Sequence, residues 1–274
     1  MNRTWIASAL VAASLVALPA HAQASGADAF LSDFRVSGEY VVEINGRPQP
    51  KAELYFSERA RAFLIKSSEL PSPVLVSPSA KEVQSLDLMK VSTRPDGVID
   101  VLADAVLSPE GAFRVEGESI LFRAGGKEVR LRPRPWLLGA HNGAELGEHN
   151  PEYPRRAGEY TPDAALVAKL KASNQPVRVL TFFGSWCPHC KKHVPMLMKV
   201  AEELAGSKWQ FDYYGLPSPF TNEPEAVKYG IKGVPTAIVF VGGKEIGRLP
   251  AATWVKPEAG LDSVLSGTAT GGSR

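Results

Sequence analysis

The chain's only two cysteines, Cys187 and Cys190, are separated by two residues, and their thiols are the first candidates for chemistry. A disulfide that closes so small a loop removes little entropy from the unfolded chain, so it would stabilise the fold poorly. Two neighbouring thiols can, however, form and break such a bond reversibly. The spacing therefore indicates a redox-active pair that carries out thiol–disulfide exchange.

Histidines near the cysteines offer a second interpretation. His189 lies between the cysteines, and His193 follows one helical turn later. Thiolate and imidazole groups suit zinc or copper(I), so the alternative is a protein that handles copper or another metal. A third interpretation is a binding module whose cysteines only hold clients. We favour solvated histidines, predict no metal site and no cofactor, and interpret His141 and His149 as polar linker residues.

The segments around the cysteines predict the elements that position them. Residues 177–183 are apolar on both faces, as in a buried parallel strand, and residues 188–204 have apolar side chains at helical spacing. Asp163 is placed to cap a helix over 163–172. The predicted strands that follow are 209–214, 235–241 and 244–249, and the further helices are 223–229 and 257–265. This order predicts an α/β domain over 163–266, a mixed sheet with helices on both faces.

Motifs in this domain resemble the thioredoxin superfamily. The resemblance rests on Trp186-Cys-Pro-His-Cys190, on Lys191 directly after it, on Pro195 inside the helix, and on Gly233-Val-Pro-Thr236 about 45 residues later. It implies a thioredoxin-like fold, with protein thiols or disulfides as substrates and a membrane or soluble redox partner.

The resemblance also implies roles for individual residues. Pro235 would follow a cis peptide bond and pack against the disulfide, and the backbone of Val234 would pair with an extended substrate. Trp186 is interpreted as a surface contact beside the sulfur. Thr181 occupies the strand position where thioredoxins carry a buried acid, so that proton shuttle is missing.

The predicted mechanism uses the two thiols unequally. Cys187 would lie at the helix N-terminus, where unpaired N–H groups and the helix dipole favour a thiolate. Cys190, inside the helix, would resolve a mixed disulfide that forms on Cys187. The intervening Pro188 and His189 would tune the thiolate, and this dipeptide resembles that of periplasmic disulfide oxidases of the DsbA type. The surrounding sequence resembles thioredoxin itself, so the redox direction stays open.

The N-terminus predicts export. A weakly basic start, an apolar run and an A-x-A site resemble a secretory signal peptide over residues 1–22. We therefore expect a periplasmic protein, in an oxidising compartment where a disulfide persists. The net charge is +2 with no block of Lys or Arg, so nucleic acid is not a predicted partner.

The rest of the chain predicts a second domain. Short apolar alternations between turn residues indicate a small β-rich N-terminal domain over 27–137, with residues 79–89 as its one helix or turn region. Two interpretations stay open for it: a dimerisation or docking surface, as in periplasmic disulfide isomerases that form homodimers, and a scaffold. Residues 138–162 are interpreted as a linker, and 267–274 as a disordered tail.

Overall fold

The computed structural model describes residues 31–267, so the predicted signal peptide and residues 268–274 of the predicted tail lie outside the described residues. Thirteen short strands make up the first domain. They are β1 (Arg35–Val36), β2 (Tyr40–Ile44), β3 (Arg47–Pro48), β4 (Glu53–Ser57), β5 (Ala62–Lys66), β6 (Val74–Ser77), β7 (Glu82–Ser85), β8 (Val91–Thr93), β9 (Ile99–Val101), β10 (Ser108–Ala112), β11 (Arg114–Glu116), β12 (Ser119–Ala124) and β13 (Lys127–Pro133).

Two antiparallel sheets stack on each other in this domain. One has the strand order β1-β4-β5-β6-β7-β10 and the other β11-β12-β13-β2-β3. Alternate side chains fill the space between them, among them Ile65 and Val76 from the first sheet and Phe122 and Leu131 from the second. The opposite face of the six-stranded sheet is covered by the β8–β9 hairpin, which buries Ile99. The predicted β-rich character of the domain is therefore confirmed.

The turn signals of this domain behave as the sequence predicts. Asn45 and Gly46 connect β2 to β3 with φ angles of 49° and 73°, as a tight hairpin requires. Residues 79–89 were expected to form a helix or a turn. A turn is observed at 78–81, where the Lys81 N–H donates to the Pro78 carbonyl at 3.3 Å, but the helix is not, because β7 pairs there between β6 and β10. Val83 packs into the core between the sheets, and only a 3₁₀ turn at Leu88–Lys90 follows.

Residues 138–162 differ from the linker that we predicted. They form a strand and two short helices: β14 (Gly139–His141), α1 (Gly143–His149) and α2 (Glu152–Gly158). The polar residues that suggested a linker are capping residues, since Asn142 and Glu145 make a reciprocal capping box at the start of α1. Among the few apolar residues of the segment, Leu146, Tyr153 and Ala157 are buried, whereas Leu138 is 52% exposed.

The second domain has the predicted α/β architecture. Its elements are α3 (Ala164–Lys171), β15 (Val177–Phe183), α4 (Pro188–Glu203), β16 (Trp209–Gly215), α5 (Pro224–Lys228), β17 (Thr236–Val241), β18 (Lys244–Arg248) and α6 (Pro257–Leu265). The sheet order is β14-β16-β15-β17-β18, with β15 parallel to β16 and antiparallel to β17. The sheet is therefore mixed, as predicted. No helix among the described residues combines the length and apolar character needed to cross a membrane.

The side chains of β15 alternate between two cores, which explains why both faces of this strand carry apolar residues. Val177 and Val179 pack with α4 and α6, whereas Leu180 and Phe182 pack with α5 on the other face. The Asp163 carboxylate caps α3, as predicted, by accepting hydrogen bonds from two backbone N–H groups. Burial on both faces fixes the strand that leads into the cysteine loop.

Polar contacts tie the first domain to α2 and α4. The Glu152 carboxylate, at the start of α2, accepts a hydrogen bond from the backbone N–H of Gly38 at 2.9 Å. Lys191, in the first turn of α4, pairs with Glu39 at 2.6 Å. The first domain thus contacts the helix that carries both cysteines.

Substitution of Gly215 by alanine tests the packing of β14. A Cβ there would lie 1.9 Å from the Leu137 carbonyl oxygen, and backbone cannot move aside as a side chain can. We expect Gly215→Ala to lower the free energy of unfolding by about 1–3 kcal/mol, measured by urea unfolding. Gly158→Ala is the control, because no atom lies within 4 Å of its new Cβ. Equal stability of the two variants would contradict this packing.

Candidate functional site

Cys187 lies where the central strand of the second domain gives way to a helix. β15 ends at Phe183, and Cys187 is the N-cap residue of α4, with an extended backbone. Pro188 takes the first helical position, which suits its fixed φ and its missing N–H. The Cys187 N–H donates to the carbonyl of Gly184 at 2.9 Å, which closes the loop. The predicted position of Cys187 at the start of the helix is observed.

The two thiols are free and differ in burial. Cys187 is 7% exposed, and Cys190 is completely buried. The backbone N–H of Gly184 donates to the Cys190 sulfur at 3.4 Å, whereas burial raises the pKa of the Cys190 thiol. Cys190 is therefore a shielded thiol, while the Cys187 sulfur lies nearer to solvent.

The loop before β17 approaches the Cys187 sulfur, as the sequence motif indicated. The Val234–Pro235 peptide bond is cis. The Cys187 thiol donates to the carbonyl of Val234, with 3.8 Å between sulfur and oxygen. The structure thus brings Cys187, Val234 and Pro235 together from segments 47 residues apart. A substrate role for the Val234 backbone stays a prediction.

Two tryptophans lie beside the cysteine loop, and the sequence indicated only one of them. The Trp186 ring packs over Gly184, and its Nε1 donates to the Leu216 carbonyl at 2.8 Å. Trp136, which is 47% exposed, lies with its ring centre 6.3 Å from that of Trp186. A hydrogen bond of 2.9 Å from the N–H of Leu137 to Ser185 holds the Trp136 segment against the loop. Packing between distant segments creates this pair. The one signal in the sequence was a tryptophan that follows two prolines, Pro133 and Pro135.

The histidines show no shared metal site. His189 is exposed on the first turn of α4, and its ring stacks on that of His193, with 6.5 Å between ring centres. Burial lowers the pKa of His193, and it lowers the pKa of His149 to about 4. His141 lies near Glu145, at 3.3 Å. In the part of the chain that the structure describes, no group of three or more His, Cys, Asp or Glu could hold a metal ion. The metal-handling alternative therefore finds no support.

Two buried hydroxyl groups lie on β15 and α2. Thr181, which occupies the strand position where thioredoxins carry a buried acid, is itself fully buried in β15. Tyr153 of α2 is buried in one cluster with both cysteines and meets the Phe183 ring edge-on at 6.5 Å. Within residues 31–267, neither hydroxyl has a hydrogen-bond partner. Sequence reasoning missed Tyr153 because it lies in the segment interpreted as a linker.

Alkylation of the reduced protein tests the unequal thiols. Iodoacetamide should modify Cys187 at least about ten-fold faster than Cys190 near neutral pH, because the raised pKa of Cys190 keeps it a protonated, inaccessible thiol. Peptide mapping by mass spectrometry across pH measures both rates, and Cys190 should react only in alkali. Cys190→Ser should retain the fast reaction. Faster labelling of Cys190 would reverse the assignment of the two thiols.

Comparison with known sequences identifies the second domain. The sequence model of the Thioredoxin family matches residues 160–261. Thioredoxin from Acidithiobacillus ferridurans is 31% identical over 111 residues, which cover 39% of this chain and 94% of that protein. Thioredoxin-2 of Saccharomyces cerevisiae is 34% identical over 98 residues, 36% of this chain and 83% of that protein.

A chloroplast relative is matched over less of its length. The match to Thioredoxin M4, chloroplastic, from Arabidopsis thaliana is 35% identical over 101 residues and covers 34% of this chain. It spans 48% of that protein, about half of its length. The family match begins after α2, so the first domain and α2 lie outside it. Through the domain that carries Cys187 and Cys190, the chain belongs to the thioredoxin family.

Proposed function

We propose that this protein is a periplasmic thiol–disulfide oxidoreductase that exchanges a Cys187–Cys190 disulfide with protein substrates. One observation carries the proposal: Cys187 lies at the N-terminus of α4, 3.8 Å from the Val234 carbonyl, with Cys190 buried behind it. The exposed backbone amides of a helix start favour an anion at this sulfur. The export signal predicted over residues 1–22 supports the periplasmic location.

The proposed reaction passes through a mixed disulfide on Cys187. In the reducing direction, the Cys187 thiolate attacks a client disulfide, and one client sulfur leaves as a thiolate. The Cys190 thiol then loses its proton to solvent and attacks the Cys187 sulfur, which releases the second client sulfur. Two electrons pass to the client as the Cys187–Cys190 bond forms. The oxidising direction is the reverse sequence.

The reduction potential sets the direction of exchange. Known proteins of this chemistry span about 150 mV, or about 7 kcal/mol for two electrons. The Pro188–His189 dipeptide favours the oxidising end, because a cation near Cys187 stabilises the reduced thiolate form. The thioredoxin-like sequence around it favours the reducing end. Both directions require the same pair of thiols.

Equilibration in glutathione buffers tests the proposal. The wild-type protein should titrate as one two-electron couple, and a potential near the oxidising end would make it a disulfide donor. With a client carrying one disulfide, Cys190→Ser should accumulate a mixed disulfide on Cys187, visible on a non-reducing gel. Cys187→Ser should form none. Absence of the trapped complex in Cys190→Ser would contradict the proposed function.

The first domain, we propose, holds α2 against α4. The support is its two contacts with these helices, from Gly38 to Glu152 and from Glu39 to Lys191. The homodimer implied by the resemblance to periplasmic isomerases is the alternative for this domain. Sedimentation equilibrium of the protein without residues 1–22 distinguishes a monomer from a dimer.

Replacement of His189 tests how the dipeptide tunes the pair. His189→Pro removes the imidazole, and proline is tolerated in the first turn of a helix. If a protonated His189 stabilises the Cys187 thiolate ten-fold, the potential should fall by about 30 mV in the glutathione titration. His193→Gln is the control, since His193 lies one turn farther along α4. An unchanged reduction potential in His189→Pro would show that His189 does not stabilise the Cys187 thiolate.

Replacement of Trp136 tests whether the tryptophan pair contacts clients. Trp136 and Trp186 form an aromatic surface next to Cys187, and aromatic side chains dominate such contacts. Trp136→Ala should slow exchange with an unfolded client about ten-fold or more, while the reaction with dithiothreitol stays unchanged. Met89→Ala, which removes a side chain 81% exposed on the first domain, is the control. Equal slowing of the reactions with the unfolded client and with dithiothreitol would instead indicate that the substitution damages the site.

A further inference from the structure

The Tyr153 hydroxyl is a buried polar group without an evident structural task. Tyr153 is 1% exposed, and within the described part of the chain its hydroxyl has no hydrogen-bond partner. Burying such a group unpaired costs free energy, so native structures keep few of them. The hydroxyl therefore calls for a functional explanation.

α2 places this hydroxyl beside the cysteines. The helix packs on α4, and Tyr153 shares a buried cluster with Cys187, Cys190 and Leu146. Its ring meets Phe183, the last residue of β15, edge-on. The ring is held from two sides, by the sheet and by α4. The hydroxyl is consequently buried in the cluster that contains both thiols rather than free to reach solvent.

The proposed chemistry creates a buried anion at this place. In the reducing direction, the Cys190 thiolate is the nucleophile that resolves the mixed disulfide. In the oxidising direction, it is the group that leaves when a client thiolate attacks Cys187. Both directions therefore pass through a thiolate at a fully buried sulfur, where charge is unfavourable without a donor. The Gly184 N–H is one donor to that sulfur.

The ionisable groups around the cluster are otherwise engaged. The Glu152 carboxylate accepts from Gly38 and pairs with Arg156 at 3.3 Å. Glu39 pairs with Lys191. His189 is exposed on the outer side of α4.

Besides Tyr153, two buried hydroxyls of residues 31–267 have no hydrogen-bond partner: that of Thr181 on β15 and, within the same cluster, that of Tyr213 on β16. The electrostatic neighbours of the Tyr213 hydroxyl are Glu202 and Asp212, whereas those of the Tyr153 hydroxyl include Cys190 and Cys187. Of the two tyrosines, Tyr153 is the one that has the thiols among the charges acting on its hydroxyl.

We propose that the Tyr153 hydroxyl donates a hydrogen bond to the Cys190 thiolate during exchange. This inference rests on the proposed function and makes Tyr153 a positioning residue. The hydroxyl keeps its proton throughout. In the reducing direction, the Cys190 proton passes to solvent, the Cys190 thiolate attacks Cys187, and the client sulfur leaves with the electron pair of the broken bond. The donor lowers the free energy of the thiolate and so speeds resolution.

Single-turnover reaction with a chromogenic aromatic disulfide tests the proposal. Attack by Cys187 releases one aryl thiolate, and attack by Cys190 then releases the second, so the two steps appear as separate phases. Tyr153→Phe should leave the first phase unchanged and slow the second about ten-fold near neutral pH. Its pH profile should move to higher pH, because a thiolate that loses a donor forms only at higher pH.

Tyr213→Phe is the matched control, since it removes the other unpartnered tyrosine hydroxyl of the same cluster. Both of its phases should equal those of the wild type. Tyr153→Phe should also unfold at the same temperature as the wild type or higher, because it loses no hydrogen bond. A purely structural role would instead lower that temperature and leave the pH profile in place.

The outcomes separate the inference from the function on which it rests. Absence of the first phase in the wild type would overturn the proposed function. A normal first phase, with a second phase in Tyr153→Phe equal to that of the wild type, would overturn the inference alone. Equal slowing of both phases would also overturn it, since the change would then act on the whole site. Slowing of the second phase only, together with the shifted profile, supports the inference.

Discussion

The enclosure of α4 on two sides is the constraint on which the site depends. One flank packs on the sheet through Leu197 and Val200, and the cysteine end packs against α2 through the cluster of Tyr153. Close packing on both flanks fixes the helix in position and rotation. Its N-cap residue, Cys187, therefore contacts the Val234 loop, and Cys190 in its first turn is buried. Both features of the thiol pair follow from this one arrangement.

The contacts that hold this enclosure together differ in strength. The pair between Lys191 and Glu39 has partly exposed partners, and such pairs contribute little stability. The Glu152 carboxylate is 9% exposed and is satisfied by the Gly38 N–H and by Arg156, so losing either partner would leave a buried charge. The backbone of the first domain thus contributes directly to the position of α2.

Segments with continuous apolar runs, or with a proline that marks their start, could be predicted from the sequence. The doubly buried strand Val177–Phe183 and the helix Pro257–Leu265 have the predicted bounds, since continuous apolar runs and a proline start define them. The approach of Pro235 to Cys187 followed from motif spacing. By contrast, α1 and α2 have seven residues each, too few for a helical period to stand out from their capping residues.

Residues recruited by packing could not be predicted. Tyr153 and Trp136 contact the cysteine loop across distances in the chain that no local pattern encodes. The strand Glu82–Ser85 was missed for a related reason. It carries one core side chain, Val83, and owes its conformation to the hydrogen bonds of its two neighbours. The hydrophobic period of a sequence indicates which face of a single element is buried. The placement of Tyr153, Trp136 and β7 depends instead on contacts with other elements.

The position of α2 outside the family match has a consequence for oxidative damage. The segment matched to thioredoxin begins at residue 160, yet α2, at Glu152–Gly158, covers the flank of the helix where Cys190 is buried. A fragment cut at that boundary would open this flank to hydrogen peroxide. While Cys187 is held in a mixed disulfide, a sulfenic acid on Cys190 would then progress to sulfinic acid, which thiols cannot reverse. In the whole chain, α2 covers this flank, and Cys187 is the more exposed of the two sulfurs.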